Sequence, residues 1–147
     1  MITGEHRVAL DEKGRLLLPT KIRGEIPGEQ MVLTKGIDQC LWLFPQEQWL
    51  KISKSILEST SMFSNTGRMI QRRIIAPAME IELDKTGRIS VTPMLREHGQ
   101  LKKECIILGI RNYLEIWDED LYKAYQLETE ANFSDLANEI SIMWPKE

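Results

Sequence analysis

Val8-Ala9-Leu10-Asp11-Glu12-Lys13-Gly14-Arg15-Leu16 returns later in the chain as Ile81-Glu82-Leu83-Asp84-Lys85-Thr86-Gly87-Arg88-Ile89. Asp84 stands 73 positions after Asp11, and at that spacing, taken without a gap, Arg23 falls on Arg96, Gly36 on Gly109, Ile37 on Ile110 and Leu41 on Leu114. The match describes a duplicated unit of about 45 residues, too short to bury a self-sufficient core, because domains near that size need partners, metals or disulfides. The two copies are therefore expected to pack on each other as one body with approximate two-fold symmetry, presenting two Asp-x-x-Gly-Arg loops. That geometry suits a two-fold or repeating partner such as duplex DNA.

Within the first copy, Arg7-Val8-Ala9-Leu10 and Arg15-Leu16-Leu17-Leu18 flank the turn chemistry of Asp11-Glu12-Lys13-Gly14, which reads as strand, tight turn, strand. Pro19 and the residues up to Ile26 predict a short helix closed by Pro27-Gly28, and Met31–Thr34 and Leu41–Phe44 predict two more strands. The second copy repeats the order, with a short helix over Pro93–Glu97 and strands at Cys105–Leu108 and Tyr113–Trp117. Between the copies, Trp49, Ile52, Ile56 and Leu57 recur at helical spacing, and the apolar set continues with Met62 and Phe63 before a Ser64-Asn65-Thr66-Gly67 break and Met69, Ile70, Ile74 and Ile75 after it, so two helices are expected. The tail from Asp118 to Met143 predicts one or two more, with Leu121, Tyr125, Leu136, Ile140 and Met143 on apolar faces and Ser134 as an N-cap. Strands with one helical turn per copy make a β-rich pseudo-dimer.

With 147 residues, 42% apolar and 28% charged, the chain is expected to fold as a soluble globule. Its first residues lack a signal-peptide core and no stretch reaches a membrane span, so the expected location is the cytoplasm, with no membrane partner. Cys40 and Cys105 lie among apolar residues with no C-x-x-C and no histidine at ligand spacing; buried, inert thiols are expected, and no metal site. The net charge of −3 is unlike that of a nucleic-acid binder until it is mapped along the chain. Residues 1–23 sum to +2, 24–67 to −2, 68–103 to +4 and 104–147 to −7. Positive charge follows the repeat loops and the stretch before the second. A local basic face is sufficient, because exposed charges farther apart than roughly 8 Å are largely screened at physiological salt.

Each Asp-x-x-Gly-Arg loop has a purely structural reading: aspartate bonds its own turn, glycine supplies a positive φ, and Arg15 or Arg88 pairs with the carboxylate four positions back. The functional reading rests on company. Arg7, Lys13, Arg15, Lys21 and Arg23 gather around the first turn and Lys85, Arg88 and Arg96 around the second, and arginine's planar fork matches phosphate oxygens and the O6/N7 edge of guanine. Arg15 first and Arg88 second are the candidates to reach base edges, with Arg7, Lys13, Lys21, Arg23, Lys85 and Arg96 on phosphates and Asp11, Gly14, Asp84 and Gly87 orienting the loops. No enzyme is indicated: His6 and His98 are solitary and read as solvated surface residues, and there is no P-loop, dinucleotide fingerprint or metal-ligand cluster. Neither a cofactor nor a small-molecule substrate is expected. The competing class is an oligomeric protein-interaction module, an antitoxin-like scaffold in which the Asp–Arg pairs only hold the turns.

Gly4-Glu5-His6, Asp11-x-Lys13-Gly14-Arg15-Leu16, Pro19, Arg23, Asp84-x-x-Gly87-Arg88-Ile89, Pro93, Leu95-Arg96 and Leu114-Glu115-Ile116-Trp117 together resemble the MraZ family of transcriptional regulators, with two SpoVT-AbrB-like domains. The resemblance spans nearly the whole chain. It implies an α+β, β-rich fold: an intramolecular pseudo-dimer of two AbrB-like swapped-hairpin units, double-psi-like, with peripheral helices. The implied segments are domain 1 at 5–48, inter-repeat helices at 49–76, domain 2 at 77–121 and a helical tail at 122–147. It further implies a homo-oligomeric ring in the cytoplasm and nucleoid, binding short direct repeats of double-stranded DNA upstream of a cell-division and cell-wall gene cluster, and repressing its own operon. Thr92 stands where the counterpart of Pro19 would be, with Pro93 one position later, so the second short helix is expected to start differently.

Overall fold

Strand, strand, short helix, strand, strand is the order of each copy in the computed structural model, which describes residues 1–140. The first copy supplies β1 (Ile2–Ala9), β2 (Arg15–Leu17), α1 (Thr20–Glu25), β3 (Gln30–Lys35) and β4 (Leu41–Pro45). The second supplies β5 (Met79–Glu82), β6 (Arg88–Ser90), α4 (Pro93–Gly99), β7 (Glu104–Arg111) and β8 (Tyr113–Asp118). Between them lie α2 (Gln46–Ser59) and α3 (Asn65–Ile70), the latter continuing into a π-helical turn at Gln71–Ile75; α5 (Glu119–Glu130) and α6 (Phe133–Ile140) follow β8.

The pairing exchanges strands between copies. One antiparallel six-stranded sheet runs β1-β7-β8-β4-β3-β5, so each outer strand is docked on the other copy's third strand, and β2 pairs with β6 in a separate ribbon. Both central pairings are symmetric under the repeat. In the ribbon Arg15 faces Ser90, Leu16 faces Ile89 and Leu17 faces Arg88; in the sheet Leu41 faces Ile116, Trp42 faces Glu115 and Leu43 faces Leu114. A pseudo-two-fold axis therefore passes through Leu16/Ile89 and Trp42/Glu115, and the Trp42 indole donates to Glu115 Oε2 across it at 3.1 Å.

Neither copy owns the core. Leu16, Leu18, Ile22, Leu33, Leu41 and Leu43 from one half close against Ile89, Val91, Leu95, Ile107, Leu114 and Ile116 from the other in a single buried cluster. This is the shared burial expected of two units too small to fold alone.

The gap-free match does not hold throughout. Lys35 pairs with Leu41 while Gly109 pairs with Leu114, so Lys35, and not Gly36, is the structural counterpart of Gly109. One residue is gained after the second short helix, where Gln100 closes α4 in the left-handed region at φ 49° and the Leu101 N–H reaches back to the Arg96 carbonyl at 3.0 Å. It is recovered at the hairpin: β3 and β4 are joined through residues 36–40, β7 and β8 through Asn112 alone. Thr92 caps α4 by accepting from the Leu95 N–H, whereas Pro19 gives α1 no side-chain cap.

The helical insert covers one face of the sheet, with α2 laying half-buried Trp49 and Ile56 inward. Ser64 is the N-cap of α3, accepting from the Gly67 N–H at 3.0 Å, and the buried Thr34 hydroxyl donates to the Ile74 carbonyl in the π turn at 2.6 Å. Asp118 caps α5 by accepting from the Leu121 N–H. Ser134 is not a cap: α6 begins one residue earlier, at Phe133, and Ser134 lies within its first turn. Met143, assigned above to an apolar face, lies outside the described residues, as does the tail beyond 140.

Candidate nucleic-acid interface

Asp11 organises the first loop from within. Its Oδ1 accepts from the backbone N–H groups of Lys13 and Arg15, each at 2.9 Å, and its Oδ2 accepts from Arg15 Nε at 2.9 Å. Asp84 repeats the backbone part, with Oδ1 accepting from the Thr86 N–H at 2.8 Å and the Arg88 N–H at 2.9 Å, and adds the Thr86 hydroxyl at 2.7 Å. These donors hold both carboxyls below the usual aspartate range, the Arg15 N–H acting most strongly on Asp11 and the Arg88 N–H on Asp84. Gly14 and Gly87 complete the turns at φ +76° and +83°, where a side chain is strained.

The arginines are not equivalent. Arg15 is clamped by Asp11 and also turns Nη1 toward Asp84 Oδ2 at 3.9 Å, so one guanidinium links the two loops. Arg88 does not pair with the carboxylate four positions back, because Asp84 spends Oδ1 on its own turn and points Oδ2 at Arg15; among the described residues the Arg88 side chain has no carboxylate partner. Both arginines line one open depression of about 830 Å³, together with His6, Arg7, Asp11 and Leu17.

Of the remaining cations, Lys13, Lys21 and Lys85 are exposed and, among the described residues, unpaired. Arg7 reaches the same depression, but its Nη2 donates to both oxygens of Glu119 at 2.8 and 3.1 Å. Glu119 is only 7% exposed, and Lys123 joins it at 2.7 Å; these donors, Lys123 first, hold its carboxyl below the usual glutamate range. The sequence treats this glutamate as one more acid of the tail, and no motif sets it apart. Arg23 and Arg96 stand behind the loops with their Nε atoms buried. Part of the positive charge before the second repeat lies elsewhere: Arg73 on the π turn binds the carbonyls of Gly36 and Ile37.

The histidines are not solvated as the sequence suggests. His6 and His98 are each half-buried with a buried Nε2, and burial, followed by the charge of Arg73, lowers the His98 pKa. Cys40 and Cys105 are buried free thiols; burial raises both, Cys105 to about 12. Among the described residues no helix is long and apolar enough to cross a membrane.

Comparison with known proteins meets the same two halves. The family model described as "MraZ protein, putative antitoxin-like" matches residues 1–73 and again 74–140. A Transcriptional regulator MraZ from Treponema denticola is 47% identical over 92% of this chain and 94% of its own length. One from Treponema pallidum is 47% identical over 89% of this chain and 88% of its own, and one from Lactobacillus gasseri 39% over 95% and 96%.

Proposed function

The chain belongs to the MraZ family, and from that premise we propose that it is a sequence-specific, DNA-binding transcriptional regulator that acts without catalysis. The observation that carries the reading is the pair of Asp-x-x-Gly-Arg loops set side by side about one pseudo-two-fold, with Arg15 and Arg88 facing a common depression. Arg15, pre-oriented by Asp11, reads a guanine edge, and Arg88 is free to do the same; Lys13, Lys21, Lys85 and Arg7 hold phosphates. The protein works in the cytoplasm, at the nucleoid, on short direct repeats upstream of cell-division and cell-wall genes, and it represses its own operon.

A homo-oligomeric ring presents several such faces to successive repeats and multiplies weak contacts through effective concentration. Exposed apolar side chains support assembly: Phe63 is 88% exposed, and an apolar depression of about 690 Å³ is lined by Ile37, Trp42, Phe44, Ile52, Met69 and Tyr113.

Arg15→Ala should weaken binding to a selected duplex by about 1–3 kcal/mol and flatten its discrimination against a scrambled one. Lys21→Ala should weaken both about equally and reduce the salt slope by roughly one. A second reading, the antitoxin-like scaffold, draws on the double clamp on Arg15, which a purely structural loop would also show. A folded Arg15→Ala protein that retains full affinity and preference would select that reading.

A further inference from the structure

Arg23 and Arg96 occupy matching places in α1 and α4, and each is turned toward the loop of the other copy. A methyl group placed on Gly14 would meet Nη1, Cζ and Nε of Arg96 at 2.9, 3.0 and 3.3 Å. Those atoms belong to one guanidinium, so its face lies against the first loop. A methyl on Gly87 would likewise meet Nη1 and Cζ of Arg23, the latter at 2.7 Å. The backbone makes the same crossing: the Leu18 N–H donates to the Gly87 carbonyl at 3.0 Å and the Val91 N–H to the Gly14 carbonyl at 2.9 Å. Gly14 and Gly87 are buried, and both arginines keep Nε buried and, among the described residues, without a hydrogen-bond partner. A buried Nε is out of reach of a phosphate oxygen, and what each side chain brings to the opposite glycine is the guanidinium group itself, packed against it.

We infer that Arg23 and Arg96 are positioning residues, each buttressing the opposite copy's Asp-x-x-Gly-Arg loop, so that the two loops are held as one unit. This rests on the DNA-binding reading for its purpose, though not for its mechanics. Arg96 sets the loop that carries Arg15, and Arg23 sets the loop that carries Arg88. Glycine is required at 14 and 87 for a second reason besides φ: a Cβ there would displace the guanidinium plane.

Backbone amide hydrogen exchange on the intact protein tests the crossing. Arg96→Ala should raise exchange severalfold at Lys13, Gly14 and Arg15 while sparing Thr86–Arg88, and Arg23→Ala should do the reverse. Loosening confined to the substituted residue's own copy, or none, overturns the proposal. Affinity for a labelled duplex, selected from a random pool by the unaltered protein, should fall in both variants with the salt slope unchanged. A slope reduced by about 0.9 per substitution would instead mark a phosphate ligand. Arg96→Lys keeps the charge without the plane and should stay as loose as the alanine variant, whereas full rescue by lysine also overturns the assignment. Should Arg96→Ala fail to fold, the exchange comparison is made on Arg96→Lys. If the selection returns no duplex, the DNA reading fails while the exchange pattern still decides the buttress.

Discussion

Asp11 and Asp84 show what a single carboxylate does here: each gathers the N–H groups of its own turn, and the charged form is the one that serves. Both pKa values are depressed by those donors, so the stabilisation is complete above the unfolded value of about 3.9 and is lost as pH falls through the lower folded value. The amide resonances of Arg15 and Arg88 should accordingly stay fixed from pH 7 down to about 4 and shift only below it; movement near pH 5 would contradict the bonding described. Asp11→Asn should loosen the first loop and lower DNA affinity without unfolding the protein, measured by mobility shift beside a thermal melt. Its effect should exceed that of Asp84→Asn, because Asp11 hydrogen-bonds the Arg15 side chain at 2.9 Å as well as its own turn, whereas Asp84 meets that side chain only at 3.9 Å. The turn chemistry of the aspartates was legible in the sequence because it is local. The difference between Arg15 and Arg88 was not, since it depends on Asp84 Oδ2 facing across the pseudo-axis, a contact between residues 69 positions apart. Glu119 was illegible for the same reason: its partner Arg7 lies 112 residues away.

Strands and short helices followed from patterning, since apolar runs bounded by Pro and Gly mark their own ends. The register did not. A match without gaps on either side of α4 conceals one residue added at its C-terminus and one removed at the next hairpin, which the strand pairing exposes, Gly109 facing Leu114 where Lys35 faces Leu41. Leu16 and Ile89 meet at the pseudo-axis of the β2–β6 ribbon with no exposed surface, so Leu16→Ala should cost about 2–5 kcal/mol in urea unfolding. A loss under about 1 kcal/mol would show that the ribbon is not part of the shared core. Cys105 on β7, its thiol raised to about 12, should resist a thiol reagent at pH 8 until the protein unfolds, because the reactive thiolate is absent. Rapid labelling of the folded protein would refute the burial.

Two intertwined copies, rather than two tandem domains, make the whole molecule; the size of the duplicated unit foretold one shared body, and the exchange of strands was implied by the family resemblance alone. The inter-repeat helices were expected from their spacing, yet they leave Phe63, Met69 and Leu57 exposed, an arrangement that patterning cannot distinguish from core packing. Light scattering should therefore report a mass several times 17.1 kDa at micromolar concentration, and a monodisperse monomer would remove the ring. The proposed function requires one face of an acidic protein to carry enough organised positive charge to bind duplex DNA. Its most direct test is a mobility-shift titration of the unaltered protein on a selected duplex across a series of salt concentrations. With Arg7, Lys13, Lys21 and Lys85 each neutralising a phosphate, log affinity should fall linearly with log salt at a slope of about −3 to −4 per subunit engaged. No binding, or an affinity indifferent to salt, would contradict the account.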